Sequence, residues 1–138
     1  MIDNIYMKKL WQEDTLFEVE FICVSHNIKC ISNVYVSCDD LDDLYIQISS
    51  FLDRKISSFW KCGERGNETL PCISFKFIHI DKLGHVIIEI FTELNDGGNL
   101  DEHTACFYIN SEIGLLYQFR EKIEFFREIP IGEKISLI

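Results

Sequence analysis

Three apolar runs, at residues 73–80, 85–93 and 104–109, follow one another through polar connections and feed a segment of helical period ending near residue 126. Connections of this length leave no room for a crossover helix, so the strands pair with their neighbours antiparallel. The middle run, His85-Val86-Ile87-Ile88-Glu89-Ile90-Phe91-Thr92-Glu93, is the most apolar stretch of the chain and predicts the central strand. Val86, Ile88 and Ile90 face the core in this reading, and Ile87, Glu89, Phe91 and Glu93 lie opposite. The Asp81-Lys82-Leu83-Gly84 connection reads as a tight turn, with Gly84 free to take a positive φ. Asn95-Asp96-Gly97-Gly98-Asn99 is the strongest turn signal in the chain, and its loop extends through Asp101 and Glu102.

The first half reads as a strand pair leading to a helix. Residues 1–13 read as a lead-in, with Leu10 and Trp11 available to cover a sheet edge. In residues 16–23, Phe17, Val19, Phe21 and Cys23 alternate with Glu18 and Glu20, the period of a half-buried strand. Turn residues Ser25-His26-Asn27 lead to a second strand at 28–37, and the two predict a hairpin.

Both helices announce themselves by their apolar stripes. Leu41, Leu44, Ile48, Phe51 and Leu52 share one face after Ser37-Cys38-Asp39-Asp40, where Asp39 is the expected N-cap. Asp40, Asp42 and Asp43 crowd the first turn, where carboxylates complement the helix dipole. That cluster lacks the glycine and terminal glutamate of a calcium loop, so capping explains it. Leu116, Phe119, Ile123 and Phe126 mark the second helix, opened by Asn110-Ser111-Glu112 and closed by Pro130 and Gly132. Residues 56–70 read as a short edge strand and an excursion, and the tail 134–138 as a last short strand or a surface segment. The expected fold is α+β: a two-layer sandwich in the order ββαβββα, with a mainly antiparallel five-stranded sheet and two helices on one face. It occupies a single domain spanning residues 1–138. No repeat occurs at solenoid periods.

Thirteen basic against twenty-three acidic residues give a net charge of −10, a field that repels nucleic-acid phosphates and attracts cationic partners. No apolar run approaches the roughly 18 residues of a membrane span, and the first residues carry no signal-peptide core. The six cysteines form no Cys-x-x-Cys pair, which suits reduced thiols and a cytoplasmic setting. The expectations are no cofactor, no nucleic-acid or membrane partner, and an open oligomeric state.

No candidate constellation carries a catalytic signature. His79 and His85 flank one turn and could meet across the hairpin, with Cys106 as a third member of a ligand-binding or enzymatic site. His103 and Cys106 fall on opposite strand faces, and an acidic surrounding would raise a thiol's pKa. Glu18 with Glu20 and Glu89 with Glu93 could act as acid–base pairs, but a solvated sheet face accounts for both. A further possibility is a structural subunit of a larger assembly. The remaining signal is a surface: Glu89, Glu93, Asp96, Asp101 and Glu102, with Tyr35, Phe91 and Tyr108 nearby, would form an acidic, aromatic-bearing patch for a basic protein partner.

The order of elements also resembles a known family. The run Gly84-His85-Val86-Ile87-Ile88-Glu89, the acidic loop, Cys106-Phe107-Tyr108-Ile109 and the helix from Glu112 to Phe126 resemble the C-terminal half of bacterial immunity proteins paired with wall-associated contact-dependent toxins. The strand pair and Asp39-Asp40-Leu41-Asp42-Asp43-Leu44 resemble the first half. The likeness covers most of the chain as hydrophobic pattern, while the tail and residues 56–70 depart from it. It implies a small, acidic, cytosolic, non-enzymatic protein that binds and blocks a toxin domain.

Overall fold

The computed structural model describes residues 2–64, 71–79, 81–94 and 103–138. Its class is the expected α+β, but the strands form two four-stranded antiparallel sheets rather than one of five. The elements run β1 (Asn4–Glu13), β2 (Leu16–Val24), β3 (Lys29–Ser37), α1 (Cys38–Arg54), β4 (Ser58–Cys62), β5 (Ile73–His79), β6 (His85–Glu93), β7 (Thr104–Glu112), α2 (Ile113–Phe125) and β8 (Lys134–Ser136). Sheet A has the order β3-β2-β1-β8 and sheet B the order β4-β5-β6-β7.

The two sheets are built alike. β1, β2, β3 and α1 correspond in order to β5, β6, β7 and α2. The burial of β2 and β6 alternates identically, with Phe17, Val19, Phe21 and Cys23 inside in one and Val86, Ile88, Ile90 and Thr92 in the other. The helical stripes match too: Leu41, Leu44, Ile48 and Phe51 answer Leu116, Phe119, Ile123 and Phe126 at equal spacing, all at 1 % exposure or less. The strand after each helix then crosses over. β4 follows α1 but pairs with β5, setting Trp60 opposite Phe75, and β8 follows α2 but pairs with β1, setting Ile135 opposite Met7. The chain is thus a duplicated βββαβ unit whose halves exchange their last strands. The repeat is half the chain long, far beyond solenoid periods.

One core serves both sheets. The Phe21 ring of sheet A lies 5.9 Å from Phe75 and 6.1 Å from Trp60 of sheet B. The helices run antiparallel, so Arg127 at the end of α2 meets Asp42 at the start of α1, and Arg120 reaches Ser49. Side chains also tie one sheet to the other: Cys62 Sγ donates to Tyr35 O of β3, and Asn110 N–H of β7 donates to Asp3 Oδ2, just before β1.

Local chemistry corrects two expected caps. The N-cap of α1 is Ser37, not Asp39: Ser37 Oγ accepts from Asp40 N–H at 3.1 Å, and Asp40 Oδ2 accepts from Ser37 N–H at 2.8 Å. This reciprocal pair satisfies two donors that would otherwise be orphaned. α2 starts at Glu112 without any side-chain cap, and the Ser111 hydroxyl is buried with no hydrogen-bond partner among the described residues. β1 replaces the expected lead-in. Its inward residues are Ile5, Met7 and Lys9, and the buried lysine hides the alternation.

Candidate functional site

The histidines of the expected ligand site part company. His85 lies one residue out of register with His79, which faces Val86. His79 turns inward, stacks 4.0 Å above Phe51 and approaches the Phe51 carbonyl at 3.4 Å. His85 stays outside, where its Nδ1 meets Asp81 Oδ2 at 2.7 Å; the same carboxylate accepts from Leu83 N–H at 2.8 Å. Gly84, at φ +92°, supplies the left-handed residue of that turn. The hydrogen bond and charge of Asp81 raise the His85 pKa, and the bond to His85 lowers that of Asp81. Among the described residues, no cluster of three or more His, Cys, Asp or Glu is arranged to hold a metal ion.

The thiols are poorly activated. Burial pushes the Cys23 and Cys62 thiols up, and Asp40 adds to the effect at Cys62. Cys106 is exposed on the outer face of sheet B, where partial burial and then the Glu89 charge raise its pKa. A nucleophilic cysteine needs the opposite setting.

The expected acidic patch is not assembled by the described residues. Glu93 is fully buried, and its Oε1 accepts from Cys72 N–H at 2.8 Å while its own N–H donates to Cys72 O at 3.0 Å. Glu93 therefore joins the end of β6 to the entry of β5 instead of facing solvent, as its strand parity suggests. Asp96, Asp101 and Glu102 lie outside the described residues. Glu89 sits in a cross-strand row Phe59-Lys76-Glu89-Tyr108 on the outer face of sheet B. It raises the Tyr108 pKa by its charge and by accepting the phenol hydrogen bond. Glu18 and Glu20 belong to the outer face of sheet A, so the four strand carboxylates do not share one surface.

The acidic groove lies between the helices. Leu41 and Ile123 floor a cavity of about 340 Å³, with Tyr45 on one wall and Asp42, Glu124, Arg127 and Glu128 around it. Asp42 is bound by Arg127, whose guanidinium also donates to Cys38 O at 3.1 Å. Glu124 and Glu128 are exposed and make no side-chain bond among the described residues. Asp39, Asp43 and Glu121 are further exposed carboxylates on the same helices. The sequence signal for this groove was the acidic first turn of α1 and the spacing of Glu124 and Glu128. Both look like ordinary solvated helix positions until the antiparallel packing brings them together.

Nearby, Arg120 bridges the helix pair. Its guanidinium lies 5.5 Å from the Tyr45 ring and 5.1 Å from Tyr117, donates to Ser49 Oγ at 3.2 Å and approaches Asp53 at 4.0 Å. An arginine on tyrosine faces beside a carboxylate is a favourable arrangement for a planar cation. No family model matches the chain, and neither a curated protein nor a solved structure is significantly similar to it. No described helix is long and apolar enough to cross a membrane.

Proposed function

We propose that this chain is a non-enzymatic protein-binding module that occludes a basic partner, with a toxin domain as the partner class and the helix groove as its seat. The observation that carries the reading is the groove itself: an apolar floor, a tyrosine wall, and the exposed carboxylates of Glu124 and Glu128 at the rim. Apolar contact gives such a seat affinity, and the charged rim gives it rate and selectivity. The net charge of −10 favours approach of a cation from any direction. The Phe59-Lys76-Glu89-Tyr108 row supports a second seat, because Phe59 and Tyr108 are 53 % and 54 % exposed there.

The test is co-purification of the full chain with the product of the neighbouring upstream gene, followed by titration calorimetry. With the helix groove as seat, Glu124→Lys with Glu128→Lys weakens binding by at least about tenfold, and Glu89→Lys leaves it unchanged. The reverse pattern moves the seat to sheet B. Absence of any complex, with no protection of cells expressing that toxin, overturns the reading.

A further inference from the structure

The outer face of sheet A holds the largest of the described cavities, about 650 Å³, where strands β8, β1 and β2 meet the start of β3. Ligand sites fall in that size range and combine apolar walls with a few placed polar groups. Here Ile22 and Val24 supply the floor and Tyr6 an aromatic wall. Lys134 places its ammonium 4.7 Å from the Tyr6 ring, and Lys29 stands on the opposite side, on β3. Two cations bracketing an apolar trough are unexpected in a molecule of net charge −10.

The decisive residue is Asn4. Its side chain is only 6 % exposed, yet it lines the cavity. Its Oδ1 accepts from Ile5 N–H at 2.9 Å and from Ile138 N–H at 3.1 Å. Two backbone donors on the oxygen fix the amide, so its NH2 is the free end, and it donates to no described residue. The NH2 keeps access to the cavity, and a ligand's oxygen placed there would accept from it. The Ser136 hydroxyl is not available for that role, because it donates to Ile138 O.

The other half of the duplication offers a contrast. The register that places Asn4 opposite Val24 and Tyr6 opposite Ile22 places Ser74 opposite Phe91 in sheet B. Cys72 and Ser74 there are 3 % and 7 % exposed, and Glu93 occupies the Cys72 N–H. Where sheet A carries the Asn4 amide and the Tyr6 ring, sheet B carries a thiol and a hydroxyl, so this lining belongs to one half of the duplication.

We infer that this cavity binds a small amphipathic organic carboxylate, with the head group on the Asn4 amide and the lysines and an aromatic or alkyl body along Tyr6 and Ile22. The inference is independent of the helix groove and survives failure of that proposal. A carboxylate gains charge-assisted bonds from Lys134 and Asn4, and its body removes the exposed edges of Ile22 and Tyr6 from water.

The probe is 1-pyrenebutyrate, titrated into the full chain and followed by fluorescence and calorimetry, with 1-pyrenebutanol as the uncharged control. Saturable one-to-one binding is expected for the acid, with the alcohol about tenfold weaker. Asn4→Asp keeps the oxygen that Ile5 and Ile138 need but replaces the donor with a repelling charge. It should weaken the acid by at least tenfold at an unchanged melting temperature. Lys134→Gln, a surface change, gives a second reading of several-fold weakening even where Asn4→Asp disturbs the fold. No saturable binding, equal binding of acid and alcohol, or wild-type affinity in Lys134→Gln together with a folded Asn4→Asp overturns the inference.

Discussion

The ammonium of Lys9 lies 5.5 Å from the centre of the Phe126 ring, and in the other half of the duplication Phe77 lies 5.9 Å from Phe51. The two pairs occupy matching places, a strand residue against the last stripe residue of a helix. Only one carries a charge. Lys9 is fully buried, and its Nζ donates to Arg127 O at 2.9 Å, Ile129 O at 2.7 Å and Gln12 Oε1 at 2.9 Å. α1 ends on Lys55 in the left-handed conformation, whose N–H returns to Phe51 O; α2 has no such residue. Lys9 does that work from another strand, satisfying carbonyls just past the helix end and complementing its dipole.

Replacing Lys9 by methionine keeps the volume and orphans two carbonyls. The expected loss is about 2 kcal/mol, from a cost of roughly 1–3 kcal/mol for leaving buried polar groups unsatisfied, set against relief of a buried charge. Equilibrium denaturation checks it. Desolvation lowers the Lys9 pKa below the ordinary lysine value of 10.5. The native state therefore releases this proton before the unfolded chain does. Wild-type stability gains relative to Lys9→Met as pH rises from the folded pKa towards 10.5, and the gap is flat at lower pH. A gap that narrows over that alkaline window contradicts the assignment.

The helix caps give a paired prediction. Ser37→Ala removes the acceptor for Asp40 N–H and should cost about 1 kcal/mol. Glu112 stands at the same place before α2 with extended backbone, φ −137° and ψ 152°, but makes no cap bond. Glu112→Ser should therefore stabilise by roughly 0.5–1 kcal/mol. Thermal melts of the two variants should move in opposite directions.

These contrasts show which parts of the fold are legible in the chain. Alternation at Phe17-Val19-Phe21-Cys23 and the stripe Leu41-Leu44-Ile48-Phe51 are local signals, and both elements form where the pattern places them. β1 is hidden because Lys9 occupies an inward position, and a lysine is read as exposed unless its acceptors are known; its two carbonyl acceptors lie beyond residue 126. The division into two sheets is also non-local, since β4 and β8 pair with strands of the opposite half. Glu93 fails for a similar reason: parity puts it outward, and its bond from the Cys72 N–H is a non-local contact. The helix groove depends on antiparallel packing that neither helix encodes by itself.

The turn between β5 and β6 should respond to pH in a bounded window. His85 has a raised pKa, so its contribution is full below the unfolded value of 6.5 and is lost as pH rises through the folded pKa. Asp81 has a lowered pKa, so its contribution is full above 3.8 and is lost as pH falls through the folded pKa. The pair is therefore at full strength between about pH 4 and 6.5. Both groups are well exposed, so the effect on global stability is small and NMR is the better readout. The His85 titration midpoint should lie above 6.5 in the wild type and fall in Asp81→Asn.

Glu89 should control the chemistry of two neighbours at once. It faces Tyr108 directly across the strands, and its charge raises the pKa of both Cys106 and Tyr108. Burial is the larger cause at Cys106, whereas the Glu89 charge is the larger cause at Tyr108. Removing the charge should consequently shift the phenol more than the thiol. In Glu89→Gln, the pH profile of Cys106 alkylation by iodoacetamide moves to lower pH, and the ultraviolet titration of Tyr108 moves further in the same direction. The buried Cys23 and Cys62 stay unreactive in both proteins and serve as the internal reference. An unchanged alkylation profile would separate Cys106 from Glu89, leaving burial alone as the cause of its weak nucleophilicity.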